Sequence, residues 1–177
     1  MEQFMNKLIT SFITISLLLF SNLATAELSV GDQAPNFKLQ ASDGKTYQLS
    51  DFKGKQSIVL AWFPRAFTSG CTIECKSLAD NGYLLKGFNA QYFMASTDEL
   101  SKNIEFAKET KADFPLLSDP TGDVAEAYGV SFMGYAKRHT FYIDKSGKIV
   151  MIDRNVRPKT SAEDMAQHMG RLGFEKI

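Results

Sequence analysis

The chain has 177 residues, of which 44% are hydrophobic and 23% charged, with 20 Lys and Arg against 20 Asp and Glu. That balance gives no one-signed field to hold nucleic acid or an anionic membrane, so neither is expected as a partner. The length suits one domain built around one sizeable core.

The first residues read as a targeting segment rather than as part of the fold. Lys7 gives a short basic start, offset by Glu2, and Leu8 to Phe20 is an apolar run broken only by Thr and Ser. Ala24-Thr25-Ala26 closes it with the small residues that a signal peptidase accepts. A membrane anchor is the alternative, but a span needs roughly 20 apolar residues. The expectation is a signal peptide over residues 1–26, a mature domain over 27–177, and an exported protein, periplasmic or secreted after cleavage near Ala26.

Beyond residue 26 there is no repeat, low-complexity stretch or long linker. Phe37-Lys38-Leu39-Gln40 and Thr46-Tyr47-Gln48-Leu49 flank Asp43-Gly44, two short alternating runs around a turn, which predicts a β-hairpin. Ser57 to Phe63 is nearly all apolar, as in a central strand covered on both faces. Pro64 opens a loop through Gly70, and helical periodicity runs from about Thr72 to Phe88. A strand over Gln91 to Ala95 follows. Ser96-Thr97-Asp98-Glu99 has the Ser-x-x-Glu capping pattern and predicts a helix reaching about Lys111.

Pro115-Leu116-Leu117 reads as a short strand, and Asp123 to Tyr128 as a short helix ended by Gly129. Residues 140–144 and 148–153 flank Lys145-Ser146-Gly147 as a second hairpin, and Ser161 to Leu172 closes the chain as a helix. Strands alternating with helices require a mixed sheet covered on both faces. A thioredoxin-like α/β fold with an N-terminal β-hairpin fits that order.

The two cysteines, Cys71 and Cys75, are four positions apart. A bridge closing so small a loop removes little chain entropy, so redox chemistry explains the pair better than a structural staple. Cys71 lies where a loop turns into a helix. Free N–H groups there carry partial positive charge and favour a thiolate, the reactive form of the thiol. The Thr68 hydroxyl can accept one hydrogen bond and donate another, so it can orient both the sulfur and a substrate oxygen. Pro64 lacks an N–H and has a fixed φ, which stiffens the loop. Gly70 allows close backbone approach to a substrate.

Pro64-x-x-x-Thr68-x-x-Cys71 resembles the active-site motif of the peroxiredoxins, the AhpC/TSA superfamily. Glu74 and Arg138, the latter in Arg-His-Thr-Phe, are also similar to family positions, as are the segments 116–119 and 127–130. Gly70-Cys71-Thr72-x-Glu74 followed at once by Cys75 resembles the bacterioferritin-comigratory or Q-type group.

The resemblance implies a thiol peroxidase that needs no cofactor. Cys71 would be the peroxidatic cysteine, with Thr68 and Arg138 binding and polarising the peroxide. Pro64 would shield the pocket, and Glu74 would anchor the arginine. The planar guanidinium of Arg138 suits charge spread over sulfur and two oxygens. Cys75 would resolve the sulfenic acid as a disulfide, and a thioredoxin-like or other dithiol protein would restore both thiols.

One departure is the spacing. The Q-type resolving cysteine usually lies five residues after the first, and here it lies four after. In an intact helix the Cβ atoms of i and i+4 are about 5–6 Å apart, against about 3.5–4.5 Å in a disulfide. A Cys71–Cys75 bond therefore requires the first helical turn to unwind, and direct attack by an external thiol on Cys71 is the alternative.

Plainer readings stand beside these. Cys71 can be a core thiol, Cys75 an inert helix residue, and Arg138 a surface charge near Lys137 and Arg154. His139 and His168 are expected to be solvated, and they lack the neighbours a zinc or iron site needs, so no metal is expected. The other enzymatic class is a thiol–disulfide oxidoreductase of the same fold acting on protein disulfides. That class normally carries Cys-x-x-Cys, which is absent. A monomer or weak homodimer is expected.

Overall fold

A computed structural model describes residues 27–177; the expected signal peptide over 1–26 lies outside the described residues. The described residues form nine strands: β1 Lys38–Ala41, β2 Thr46–Gln48, β3 Ser57–Trp62, β4 Ala90–Ser96, β5 Leu116–Ser118, β6 Ser131–Phe132, β7 Tyr135–Ala136, β8 Thr140–Ile143 and β9 Ile149–Asp153. The α-helices are α1 Ser69–Asn81, α2 Leu100–Thr110, α3 Asp123–Ala127 and α4 Ser161–Arg171. Seven strands form one sheet in the order β2-β1-β5-β4-β3-β8-β9. β3 pairs parallel with β4 and antiparallel with β8, so the sheet is mixed.

β3 is buried along its whole length, and its side chains alternate between two cores with the period of two that a strand imposes. Val59 and Ala61 face the core under α1, α2 and α4, with Leu78, Phe106, Met165 and Met169. Ile58, Leu60 and Trp62 face a second core with Phe37, Ala125, Tyr128 and Phe141. Burying each large apolar side chain stabilises the fold by about 1.5–3 kcal/mol. Helices on both faces of a mixed sheet, as the strand–helix alternation predicts, make this a thioredoxin-like α/β fold.

Three local features differ from the sequence expectation. Helix α1 starts at Ser69 rather than Thr72, so Cys71 sits inside its first turn, and it ends at Asn81 before a 3-10 turn over Gly82–Leu84. Ser96 does not open α2. It is the buried end of β4, paired with Ser118, its hydroxyl spans the Asp98 and Asn103 side chains, and Glu99 takes the cap position. The third is an unforeseen ribbon, β6–β7, whose two turn residues Met133 and Gly134 both have positive φ, 50° and 83°. Two-residue hairpins favour such mirror-image turns, normally signalled by Asn-Gly or Asp-Gly; methionine in the first position hides it. Among the described residues, no helix is long and apolar enough to cross a membrane.

Candidate active site

β3 and β4 run parallel, and the site forms at their C-terminal ends, where ligands gather in open α/β sheets. The Phe63 N–H still bonds to the Ala95 carbonyl at 2.9 Å, and the half-buried Pro64 then turns the chain away from the sheet. The following loop is fixed at three points. The Ala66 N–H donates to Asp98 Oδ2 at 2.7 Å, and Asp98 is itself held by Lys102 Nζ at 2.5 Å. The ring of Phe67 packs edge-on against Phe106 with centroids 5.2 Å apart. The Arg65 guanidinium lies over the Tyr135 ring at 4.8 Å, in the geometry of a cation–π contact.

Phe67 has φ 66°, a left-handed conformation uncommon outside glycine. Holding it costs about 1–3 kcal/mol, which those three anchors offset. The kink delivers Thr68 in extended geometry, φ −82° and ψ 151°, as the N-cap of α1. Its hydroxyl donates to the Arg65 carbonyl at 2.9 Å and makes no capping bond. With its single proton committed, the exposed Oγ1 is left as an acceptor, and the sulfur of Cys71 finds its partner elsewhere.

That partner is Arg138. Its Nη2 donates to Cys71 Sγ at 3.1 Å, while Nη1 pairs with Glu74 Oε2. The register of the chain explains how residues so far apart in sequence meet. The Trp62 N–H at the end of β3 donates to the His139 carbonyl at 2.8 Å, which pins the segment before β8 beside the root of the loop. The Thr97 hydroxyl, donating to the Gly134 carbonyl at 2.9 Å, ties the ribbon to the end of β4. Cys71 and Glu74 are three apart on α1 and share a face, so one planar fork reaches both.

Gly70 borders the guanidinium. A Cβ there would lie 3.2 Å from Arg138 Nη2, so the missing side chain makes room for the arginine. The Cys71 thiol is fully buried, and Arg138 keeps 19% of its side chain exposed, so the contact lies just beneath the surface. Cys71, at the third position of α1, lies among the first helical N–H groups, which have no partner within the helix.

Glu74 is fully buried. Burial pushes its carboxyl up to about 7, opposed by Arg138 and by Ser161, whose hydroxyl lies 3.5 Å from Oε1 at the start of α4. Burial works against the Arg138 cation, but the neighbouring Glu74 and Cys71 outweigh it and hold the guanidinium above its ordinary value. Cys75, one turn further along, is a buried free thiol with Sγ 3.1 Å from the Thr110 hydroxyl of α2. Burial pushes that thiol up to about 12.

The structure thus brings Cys71, Glu74, Gly70 and Arg138 into direct contact, with Thr68 and Pro64 on the bordering loop. The histidines are half-buried rather than freely solvated, and His168 Nδ1 lies 3.0 Å from the Tyr142 hydroxyl. Sequence reasoning missed Asp98, Phe67 and Thr110. Only Asp98 carried a usable signal, as a charged residue just past a parallel strand.

The AhpC/TSA family model matches residues 30–152. The chain belongs to that family. This peroxiredoxin is 39% identical over 130 residues to peroxiredoxin Bcp of Escherichia coli strain K12, a match covering 69% of this chain and 83% of that one. It is 32% identical over 149 residues to peroxiredoxin Bcp of Bacillus subtilis strain 168, covering 79% and 94%. Among solved structures, peroxidoxin BcpB of Mycobacterium tuberculosis superposes with a TM-score of 0.73 at 31% identity, over 82% of this chain and 97% of that one. A PrxQ variant from Xylella fastidiosa superposes with a TM-score of 0.75 at 24% identity, over 84% and 99%, and supports the fold. The peroxiredoxin therefore stands with relatives of the Bcp and Q kind.

Proposed function

We propose that this thiol-dependent peroxidase reduces hydrogen peroxide and organic hydroperoxides through Cys71, with Cys75 as the resolving thiol and an external dithiol protein as reductant. The observation that carries the reading is the Arg138 fork, one arm on Cys71 Sγ at 3.1 Å and the other on a buried carboxylate. A guanidinium so held stays in place while charge moves from sulfur to oxygen, so stabilising that charge costs no reorganisation.

Cys71 thiolate attacks the nearer oxygen of ROOH. The S–O bond forms, the O–O bond breaks, and ROH leaves after taking up a proton, with Cys71 left as a sulfenic acid. Thr68 Oγ1, its own proton already given to Arg65, accepts the peroxide O–H and aligns the O–O bond with the sulfur. The first N–H groups of α1 and Arg138 meet the charge that develops on the oxygens. Phe67, 42% exposed beside Thr68, offers an apolar wall to an organic substituent. Cys75 then displaces hydroxide from the sulfenic sulfur, giving a disulfide and water. A disulfide oxidoreductase would leave the Arg138–Glu74 pair without a task.

The N-terminal pattern of Lys7, an apolar run and Ala24-Thr25-Ala26 supports export and cleavage near Ala26. The reductant would then be a dithiol protein of that compartment. The test is to treat the protein, Cys71→Ser and Cys75→Ser with one equivalent of hydrogen peroxide and weigh the intact products. Wild type should lose two hydrogens, Cys75→Ser should gain one oxygen, and Cys71→Ser should stay unchanged. Oxidation of Cys71→Ser at the wild-type rate would refute the assignment.

A further inference from the structure

Each sulfur of the pair has its own anchor, on a different segment packed against α1. Cys71 is held by Arg138, before β8, and Cys75 by Thr110, the last residue of α2. The proton arrangement at the second anchor can be worked out. Thr110 Oγ1 lies 2.7 Å from the Phe106 carbonyl and 3.4 Å from the Ala107 carbonyl, and carbonyls only accept. A hydroxyl has one proton, and the shorter contact takes it. The contact with Cys75 must then run the other way, with the thiol donating and Thr110 accepting.

We propose that Thr110 is a positioning residue for the resolving step, a latch that holds Cys75 as a neutral thiol against α2 and sets how fast it can reach oxidised Cys71. This rests on the assignment of Cys75 as the resolving thiol.

The two anchors respond differently to the first chemical step. Oxidation of Cys71 turns an anion into a neutral sulfenic acid, which weakens its tie to the Arg138 cation. The Cys75–Thr110 contact is untouched by that event. Cys75 is fully buried beside Ala66, Leu78 and Phe106, whereas Ser69 and Ile73 of the same helix are exposed. The first turn of α1 thus loses part of its charged tie, and the bond to Thr110 is the polar contact of Cys75 still to be broken. When it breaks, the Cys75 thiol attacks the Cys71 sulfenic sulfur. The S–S bond forms, the S–O bond breaks, and the thiol proton leaves with the hydroxyl as water. While the latch holds, a second hydroperoxide can oxidise the sulfenic acid to the sulfinic acid and leave as an alcohol. Thr110 thus sets the ratio of disulfide to sulfinic acid.

The experiment compares wild type, Thr110→Val and Thr110→Ser, with Ile143→Val as a destabilising change in the other core. Reduced protein is mixed with hydrogen peroxide, quenched at intervals with an alkylating agent, and weighed intact. For Thr110→Val, the loss of the reduced form should stay within twofold of wild type. Conversion of sulfenic acid to disulfide should rise roughly fivefold, the equivalent of a net hydrogen bond of about 1 kcal/mol, and sulfinic acid at excess peroxide should fall by a similar factor. Thr110→Ser should return both toward wild type, and Ile143→Val should change neither. If Thr110→Val does not fold by near-ultraviolet circular dichroism, Thr110→Ala takes its place. A disulfide rate unchanged or slower in the variant overturns the latch, as does an equal rise in Ile143→Val. Absence of any disulfide in wild type removes the resolving role of Cys75 itself, and the latch with it.

Discussion

Replacing Arg138 by methionine keeps an unbranched side chain of similar reach but removes the charge and both donor arms. The guanidinium nitrogen lies 3.1 Å from Cys71 Sγ, which puts the centre of its charge at about 4 Å. Two unit charges at about 4 Å interact by about 4 kcal/mol at an effective dielectric of about 20. That attraction is already present in the thiolate before reaction, so what acts on the barrier is the donor that Arg138 presents to the charge arriving on oxygen, about 3 kcal/mol. The expected loss in the rate of Cys71 oxidation is about 10²-fold, the scale seen when one donor is removed from an oxyanion site. Arg138→Lys should recover part of it, because an ammonium supplies the charge but cannot span Cys71 and Glu74 together. The assay is single-turnover oxidation by hydrogen peroxide under pseudo-first-order conditions, followed by quenched intact mass. An Arg138→Met rate within threefold of wild type, in a folded protein, would refute the reasoning.

Other changes probe the supports of the site. Asp98→Ala strips the buried Ala66 N–H of its acceptor and should lower stability by about 1–3 kcal/mol. It should also slow Cys71 oxidation about tenfold as the loop relaxes, as read by thermal unfolding and the same mass assay. Phe106→Ala removes a fully buried ring that touches both Phe63 and Phe67, and should cost about 3–5 kcal/mol in urea unfolding. Glu74 gives a pH signature: burial raises its carboxyl from the ordinary 4.5 to about 7 in the folded protein. The folded state therefore binds more protons between those values, and the stability Glu74 contributes is complete below about pH 4 and lost as pH rises through 7. The difference in unfolding free energy between wild type and Glu74→Gln should fall from pH 5 to pH 8, and a flat difference would contradict it.

The sequence made the framework legible wherever the physics is local. Asp43-Gly44 between alternating runs marks the first hairpin, and the unbroken apolar stretch of β3 marks a strand buried on both faces. The Met133–Gly134 turn was hidden, because its left-handed geometry is imposed by the ribbon rather than by residues that prefer it. Ser96 carries a capping pattern in sequence but does not cap, because burial between Ser118 and Asn103 overrides a local capping preference. At the site, Cys71 could be singled out from its place at a helix start, and the family motif supplied Thr68 and Arg138. The Gly70–Arg138 contact and the bonds of Asp98 and Thr110 were not legible. They join residues that only the sheet order brings together.

Cys71 and Cys75 both belong to the larger of the two cores, packed with Ala66, Leu78 and Phe106. A reaction cycle that joins these sulfurs, as proposed, would borrow from the same apolar packing that keeps the chain folded. Endurance and speed therefore pull against each other in this molecule. Substitutions that tighten the interior beneath α1 should raise its melting temperature while slowing disulfide closure.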